Sequence, residues 1–241
     1  VPIQSSHKLS AVHRKTMGAD PWFSSLPQAQ REALLGAAVL THWRCGALVY
    51  CQGDPANAAG SGLYGLASGT IKLSTLSEDG REAIFVVLEA GTWFGELSLI
   101  DGAPRIHNAT ALSAIDLLVV PSESFSALVR SDVVFSNAIS RLVATRVRLL
   151  YAFSEDSALR GLRARIARRL LMLARVDATQ TLAPRRRLTL PQESLAMMLG
   201  IARQTLSREL NAMAQEGLIA LGYGHVEINS FEALERCGNE P

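Results

Sequence analysis

The rhythm of apolar residues changes twice along this chain. From about Thr41 to Val120 they come in short runs broken by glycine: Leu48 to Cys51, Gly62 to Leu66, Thr70 to Thr75, Ala83 to Leu88, Ala109 to Leu112 and Asp116 to Val120. Short, regularly spaced runs of this kind predict strands, and Asp79-Gly80 between two of them predicts a hairpin turn. The set predicts an antiparallel β-sandwich or barrel-like roll. Ahead of it, Pro27 opens a predicted helix over Gln28 to Leu40, with Ala33, Leu34, Ala37 and Ala38 at helical spacing. Residues 1–27 are polar and mixed, and read as an extension with little structure.

Beyond Pro121 the rhythm becomes helical. Residues 133–157 hold neither Gly nor Pro, and Phe135, Ile139, Leu142, Val143, Val147, Leu150 and Phe153 recur close to every 3.5 residues. That is the spacing of a seam between paired helices. A helix of about 25 residues is about 37 Å long, more than a roll of this size covers. Residues 132–159 are therefore expected to form a dimerisation helix, with packing against its own domain as the alternative. Arg146 lies at the edge of the seam, where burial would require a partner.

Gly161 is the expected hinge to a third region, 160–241, which opens with an amphipathic helix. Leu162, Ile166, Leu170, Leu171 and Leu173 form its apolar side, and Arg163, Arg165, Arg168 and Arg169 its polar side. Pro191 then suits the first turn of a helix whose face is Leu195, Ala196, Met198 and Leu199, and Gly200 stops it. A second helix runs from Arg203 to about Gln215 on Leu206, Leu210 and Met213. Two short helices around a glycine-containing turn make a helix-turn-helix. The segments around Ile219 and Val226, separated by Gly222-Tyr223-Gly224, read as a two-stranded wing.

Charge sharpens this picture. The chain has 241 residues and a formal net charge of +2, but residues 1–159 carry 12 Lys+Arg against 14 Asp+Glu, whereas 160–241 carry 12 against 8. All twelve basic residues of the second part are arginine, including the run Arg185 to Arg187, and guanidinium forks suit phosphate. Arg203, Gln204, Ser207 and Arg208 crowd the N-terminal half of the second helix, opposite Leu206 and Leu210. Arg can bridge guanine O6 and N7, and Gln adenine N6 and N7, in the major groove. Ser207 suits a base or a phosphate, and Thr205 a phosphate.

These residues carry a resemblance. Leu195-Ala196, Gly200, Arg203 to Arg208 and Glu216 to Ile219 resemble the winged helix-turn-helix of the CRP/FNR family. Arg203, Thr205 and Arg208 match its pattern, whereas Gln204 stands where glutamate is usual, which alters the base preference the family would imply. Gly46, Gln52 to Asp54, Gly69, Asp79-Gly80, Phe94 to Gly102 and Pro104-Arg105 resemble that family's cyclic-nucleotide-binding β-roll. The resemblance implies an α+β chain: an N-terminal antiparallel β-roll (28–131, double-stranded β-helix-like), a long dimerisation helix and a C-terminal winged helix-turn-helix. It also implies an effector site at Gly95, Glu96, Leu97, Ser98 and Arg105. In the family, amides at the start of a short helix and an arginine meet the cyclic phosphate, and the glutamate takes the ribose.

Two positions depart from that binding pattern. Ile106 follows the arginine where Ser or Thr is usual, and Leu150-Tyr151 stand where Thr-Ser often reads adenine. Tyr151 is kept as a candidate ligand contact, with a seam tyrosine as the alternative. Three readings remain open: a cyclic mononucleotide (cAMP or cGMP), a different effector such as cyclic di-GMP, or a structural Arg105–Glu96 pair. His107 is the sole histidine near this site, which speaks against a haem sensor.

Other classes find little support. Cys45, Cys51 and Cys237 are scattered without a CxxC spacing, which argues against zinc, iron–sulfur or disulfide frameworks and fits a reduced, cytoplasmic setting. There is no apolar stretch of membrane-spanning length, residues 1–20 lack the apolar core of a signal peptide, and no catalytic triad or phosphate loop is evident. The expectation is a non-enzymatic regulator whose partners are an inverted repeat in double-stranded DNA, RNA polymerase and a second copy of itself. A cyclic-nucleotide-type module with a non-DNA output is the alternative.

Overall fold

The computed structural model describes residues 4–6, 9–80, 82–174, 185–188 and 190–240. Its contacts divide the chain into two compact units, residues 1–145 and 146–241. Among the described residues no helix is long and apolar enough to cross a membrane.

The first unit opens with β1 (Gln4–Ser6), α1 (Ala11–Gly18), α2 (Pro21–Ser25) and α3 (Gln28–Gly36). The expectation of an unstructured extension over 1–27 is therefore corrected. Ser10 and Asp20 cap α1 and α2, accepting from the amides of His13 and Phe23. Met17, Trp22, Phe23 and Leu26 are buried in the core. A few apolar residues spaced along a polar segment give weak periodicity, yet each fills a defined place. Trp22 and Phe23 pack on Trp93 with ring centroids 6.0 and 5.5 Å away, and the indole of Trp22 donates to the Ala138 carbonyl at 2.8 Å. The expected helix to Leu40 also ends early, because Val39 and Leu40 pair with Val119 and Leu118.

Among the described residues of this unit, nine strands form two sheets. The first has the order β1–β2 (Val39–Trp43)–β9 (Ile115–Pro121)–β4 (Gly62–Ser68)–β7 (Trp93–Phe94). The second has the order β3 (Leu48–Tyr50)–β8 (Asn108–Ala111)–β5 (Thr70–Leu76)–β6 (Glu82–Glu89). All their pairings are antiparallel, as expected of a roll. Strand β4 is buried on both sides: Tyr64 and Leu66 join the core with the second sheet, whereas Leu63 and Ala67 join the core with the helices. This explains an apolar run without alternation. Gly65 permits the close approach of α1, since a Cβ there would lie 3.1 Å from Met17 and Trp93.

Helices α4 (Glu96–Asp101) and α5 (Ser122–Ser131) precede the long α6 (Val133–Leu159). Asp132 caps α6, accepting from the amides of Val134 and Phe135, while Gln30 holds its other oxygen at 2.8 Å. Part of the expected seam packs internally. Phe135, Ile139 and Leu142 are buried in the unit's own core, so the alternative of internal packing holds there. Val147 and Leu150 are exposed further along.

The second unit contains the end of α6, then α7 (Leu162–Ala174), β10 (Arg187–Leu188), α8 (Gln192–Leu199), α9 (Arg203–Gln215), β11 (Ile219–Gly222), β12 (His225–Ile228) and α10 (Phe231–Asn239). The wing is three-stranded, in the order β10–β12–β11, rather than two-stranded. Its third strand comes from the arginine run, where two residues are too few to show a period.

Candidate nucleic-acid interface and effector site

Gly200 ends α8 at φ +67°, a left-handed conformation that glycine adopts readily, and turns the chain into α9. Leu206, Leu210 and Met213 of α9 have no exposed surface and join Leu195, Leu199, Ile166 and Leu170 in one core. This fixes the outward face. Arg203, Gln204 and Arg208 are exposed, and Thr205 and Ser207 are half-buried beside them. All five predicted residues thus occupy the first half of one helix, on or next to its outer face. Ser207 is also an acceptor, since Asn211 donates to its carbonyl at 2.7 Å. The amides at the start of α9 receive no side-chain cap.

The structure adds residues that the sequence did not assign to this site. Tyr223 stands fully exposed at the tip of the β11–β12 turn. Arg187 lies 3.3 Å from His225 on the adjacent strand, and Arg186 donates to the Ile228 and Asn229 carbonyls. Only the pairing of β10 with β12 brings them to the wing.

The predicted effector residues fall into three groups. Glu96 and Ser98, at 0% and 4% exposure, and Arg105, at 3%, are inside the first unit. Leu97 points outward and is partly exposed, as is Ile106. Tyr151 belongs to the second unit and is exposed on α6. Gly95 precedes α4 at φ +89°, where a Cβ would come within 2.8 Å of Tyr64 and 3.0 Å of Arg105. Arg105 is held by protein groups at its guanidinium. Its guanidinium donates to the Gly95 carbonyl (2.6 Å), the Ser61 hydroxyl (2.7 Å) and the Gly62 carbonyl (3.0 Å). It also lies 4.7 Å from the Tyr50 ring centroid and 5.4 Å from that of Tyr64. Tyr64 stacks on Tyr50 and on Phe94 in the roll interior, and Tyr50 and Phe94 meet at a tilt. Burial pushes the Tyr64 phenol up, and the Arg105 charge opposes it. Both terminal nitrogens of the fork are thus engaged by protein acceptors, which a cyclic phosphate bonding through them would have to displace. Among the described residues no group of His, Cys, Asp or Glu is arranged to hold a metal ion.

Comparison with known proteins agrees with both halves of this description. Residues 40–132 match the Cyclic nucleotide-binding domain family, and residues 164–237 match the Crp-like helix-turn-helix domain family. The chain is similar to the Cyclic AMP receptor protein of Thermus thermophilus, with 31% identity over 91% of this chain and 97% of that protein. It is also similar to the CRP-like cAMP-activated global transcriptional regulator of Mycobacterium tuberculosis, with 30% identity over 79% and 84%. The structure of FixK2 from Bradyrhizobium japonicum has the same fold, with a TM-score of 0.73 over 85% of this chain and 98% of that one, at 20% identity. With both domain families present in this order and relatives matched over nearly their whole length, the chain belongs to the CRP/FNR family of DNA-binding transcription regulators, a family that is not enzymatic.

Proposed function

We propose that this chain acts in the cytoplasm as a homodimer that reads an inverted repeat in double-stranded DNA and regulates transcription with RNA polymerase as partner. Residues 28–131 serve as the sensing roll, 132–159 join the two copies, and 160–241 bind DNA. The exposed face of α9 carries this reading: Arg203, Gln204 and Arg208 project away from a helix whose other face is fully buried. In the proposed docking these three read base edges, and Thr205, Ser207 and the uncapped amides of α9 take phosphates. The exposed Val147 and Leu150 support pairing along α6. Footprinting on a selected DNA pool tests the proposal. The expected result is two half-sites about 34 Å apart, one turn of the duplex. A single isolated half-site overturns it.

The relatives named above carry cAMP in their names. For this chain we infer that cAMP, cGMP and cyclic di-GMP bind weakly in the roll. Arg105 would have to leave three protein acceptors, and Ile106 brings no side-chain donor in return. Isothermal titration with the three nucleotides checks this, and submicromolar binding of any of them would overturn it.

A further inference from the structure

The second unit contains a cavity that the DNA-reading face does not use. It has a volume of about 240 Å³ and lies among the end of α6, α7 and the end of α8. Arg165, Arg168 and Arg169 of α7 line it, and Asp156 of α6 is the one acidic residue in that lining. Asp156 is committed to Arg168, whose Nε lies 2.7 and 2.8 Å from its two oxygens, and to Arg160, whose Nε lies 3.5 Å away. Two positive charges therefore remain without an acidic partner in the lining.

Those two sit one helical turn apart and reach the same place. Arg165 donates to the Leu199 carbonyl at 2.9 Å, and Arg169 to the Met198 carbonyl at 3.4 Å, so they cap the C-terminal end of α8. The Arg169 guanidinium stacks 4.4 Å over the Phe153 ring, while its Nη1 is buried without a hydrogen-bond partner. Burial pushes the Arg169 pKa down, Asp156 opposes this, and Arg165 pushes it further down. Arginine nevertheless keeps its proton, so the cost of burying that charge persists until an anion offsets it.

We propose that this cavity binds a phosphate group, free or carried on a small organic body, between Arg165 and Nη1 of Arg169. A phosphate dianion matches the two guanidinium charges that have no ion pair in the lining and the planar fork of arginine. A water molecule takes up about 30 Å³ of liquid volume, so the space suits phosphate with a small body attached, and Leu149 and Met172 offer that body an apolar wall. The same two arginines hold the end of α8, the first helix of the helix-turn-helix. Occupancy therefore bears directly on how firmly that helix is positioned.

The test uses the full chain without DNA, so its outcome is independent of the DNA-binding proposal. Inorganic phosphate and glycerol 3-phosphate are titrated at constant ionic strength, with chloride as control, and binding is read by calorimetry. Amide exchange of the unmodified chain locates the site. Saturable binding is expected, with protection in residues 149–172 and 195–201. Arg169→Met, which keeps the stem, should weaken binding about tenfold or more. Tighter binding of the ester assigns the site to an esterified phosphate, and equal binding assigns it to free phosphate; either upholds the site. No saturable binding of either probe up to about 10 mM would overturn it, as would unchanged affinity in a folded Arg169→Met or protection confined to the β-roll.

Discussion

Replacing Arg105 with methionine distinguishes a structural arginine from a ligand-binding one by the sign of the change in stability. If Arg105 is an internal strut, its loss removes three hydrogen bonds at 2.6–3.0 Å and two contacts with tyrosine rings. Hydrogen bonds to a charged group contribute about 1.5–3 kcal/mol each, and a buried cation–π contact up to about 2 kcal/mol. The desolvation of a 3% exposed guanidinium stands against them at several kcal/mol. Methionine also leaves the Gly62 and Gly95 carbonyls without this donor. The expected net loss is about 2–4 kcal/mol, or about 5–15 °C in the melting point of a unit this size. All three tryptophans, Trp22, Trp43 and Trp93, lie in the first unit, so tryptophan fluorescence during heating follows that unit alone. If Arg105 were instead held ready for a cyclic phosphate, its removal would leave stability unchanged or raise it, as commonly happens at binding sites. A melting point within about 1 °C of the unmodified chain, together with loss of a cAMP-induced rise, would refute the strut argument.

Three other outcomes follow from the geometry. Arg203→Ala should cost about 1–3 kcal/mol on the specific DNA site and flatten the preference at one base pair, whereas Thr205→Ala should weaken all sequences alike, as a gel-shift series would reveal. Leu150→Glu places like charges across the proposed two-fold seam and should shift the protein to monomer in sedimentation at micromolar concentration; an unchanged dimer would relocate the interface. Asp116 lies 2.5 Å from Nδ1 of His42 and 3.3 Å from Nε2 of His13. Burial pushes its carboxyl up, but Ser68, His42 and His13 together hold it below the usual range. A depressed folded-state pKa contributes stability that is complete above the unfolded value of about 3.9 and disappears as the pH falls through the folded one. Asp116→Asn should therefore lower stability at neutral pH and flatten the acid limb of a stability-versus-pH curve below about pH 4.

The sequence alone determined the elements whose periodicity is strong and local. The glycine-punctuated strands, the gap-free α6, and the turn at Gly200 between Leu199 and Arg203 are set by near neighbours, so they could be read directly. So could the exposed face of α9, because fixing Leu206, Leu210 and Met213 inward forces Arg203, Gln204 and Arg208 outward. The tertiary structure decided whatever depends on distant partners. The helices over 11–25 hold together because Met17, Trp22 and Phe23 meet residues far along the chain, including Trp93 and Ala138. The seam pattern of α6 could not show that Phe135, Ile139 and Leu142 are used internally, since a 3.5-residue rhythm reads the same against a second copy or against one's own core. Arg105 is the sharpest case. The family resemblance of its sequence neighbours implies an anion receptor, but the Ser61 hydroxyl and the Gly62 and Gly95 carbonyls hold it inward, and these acceptors come from distant parts of the chain that meet it only when the roll closes.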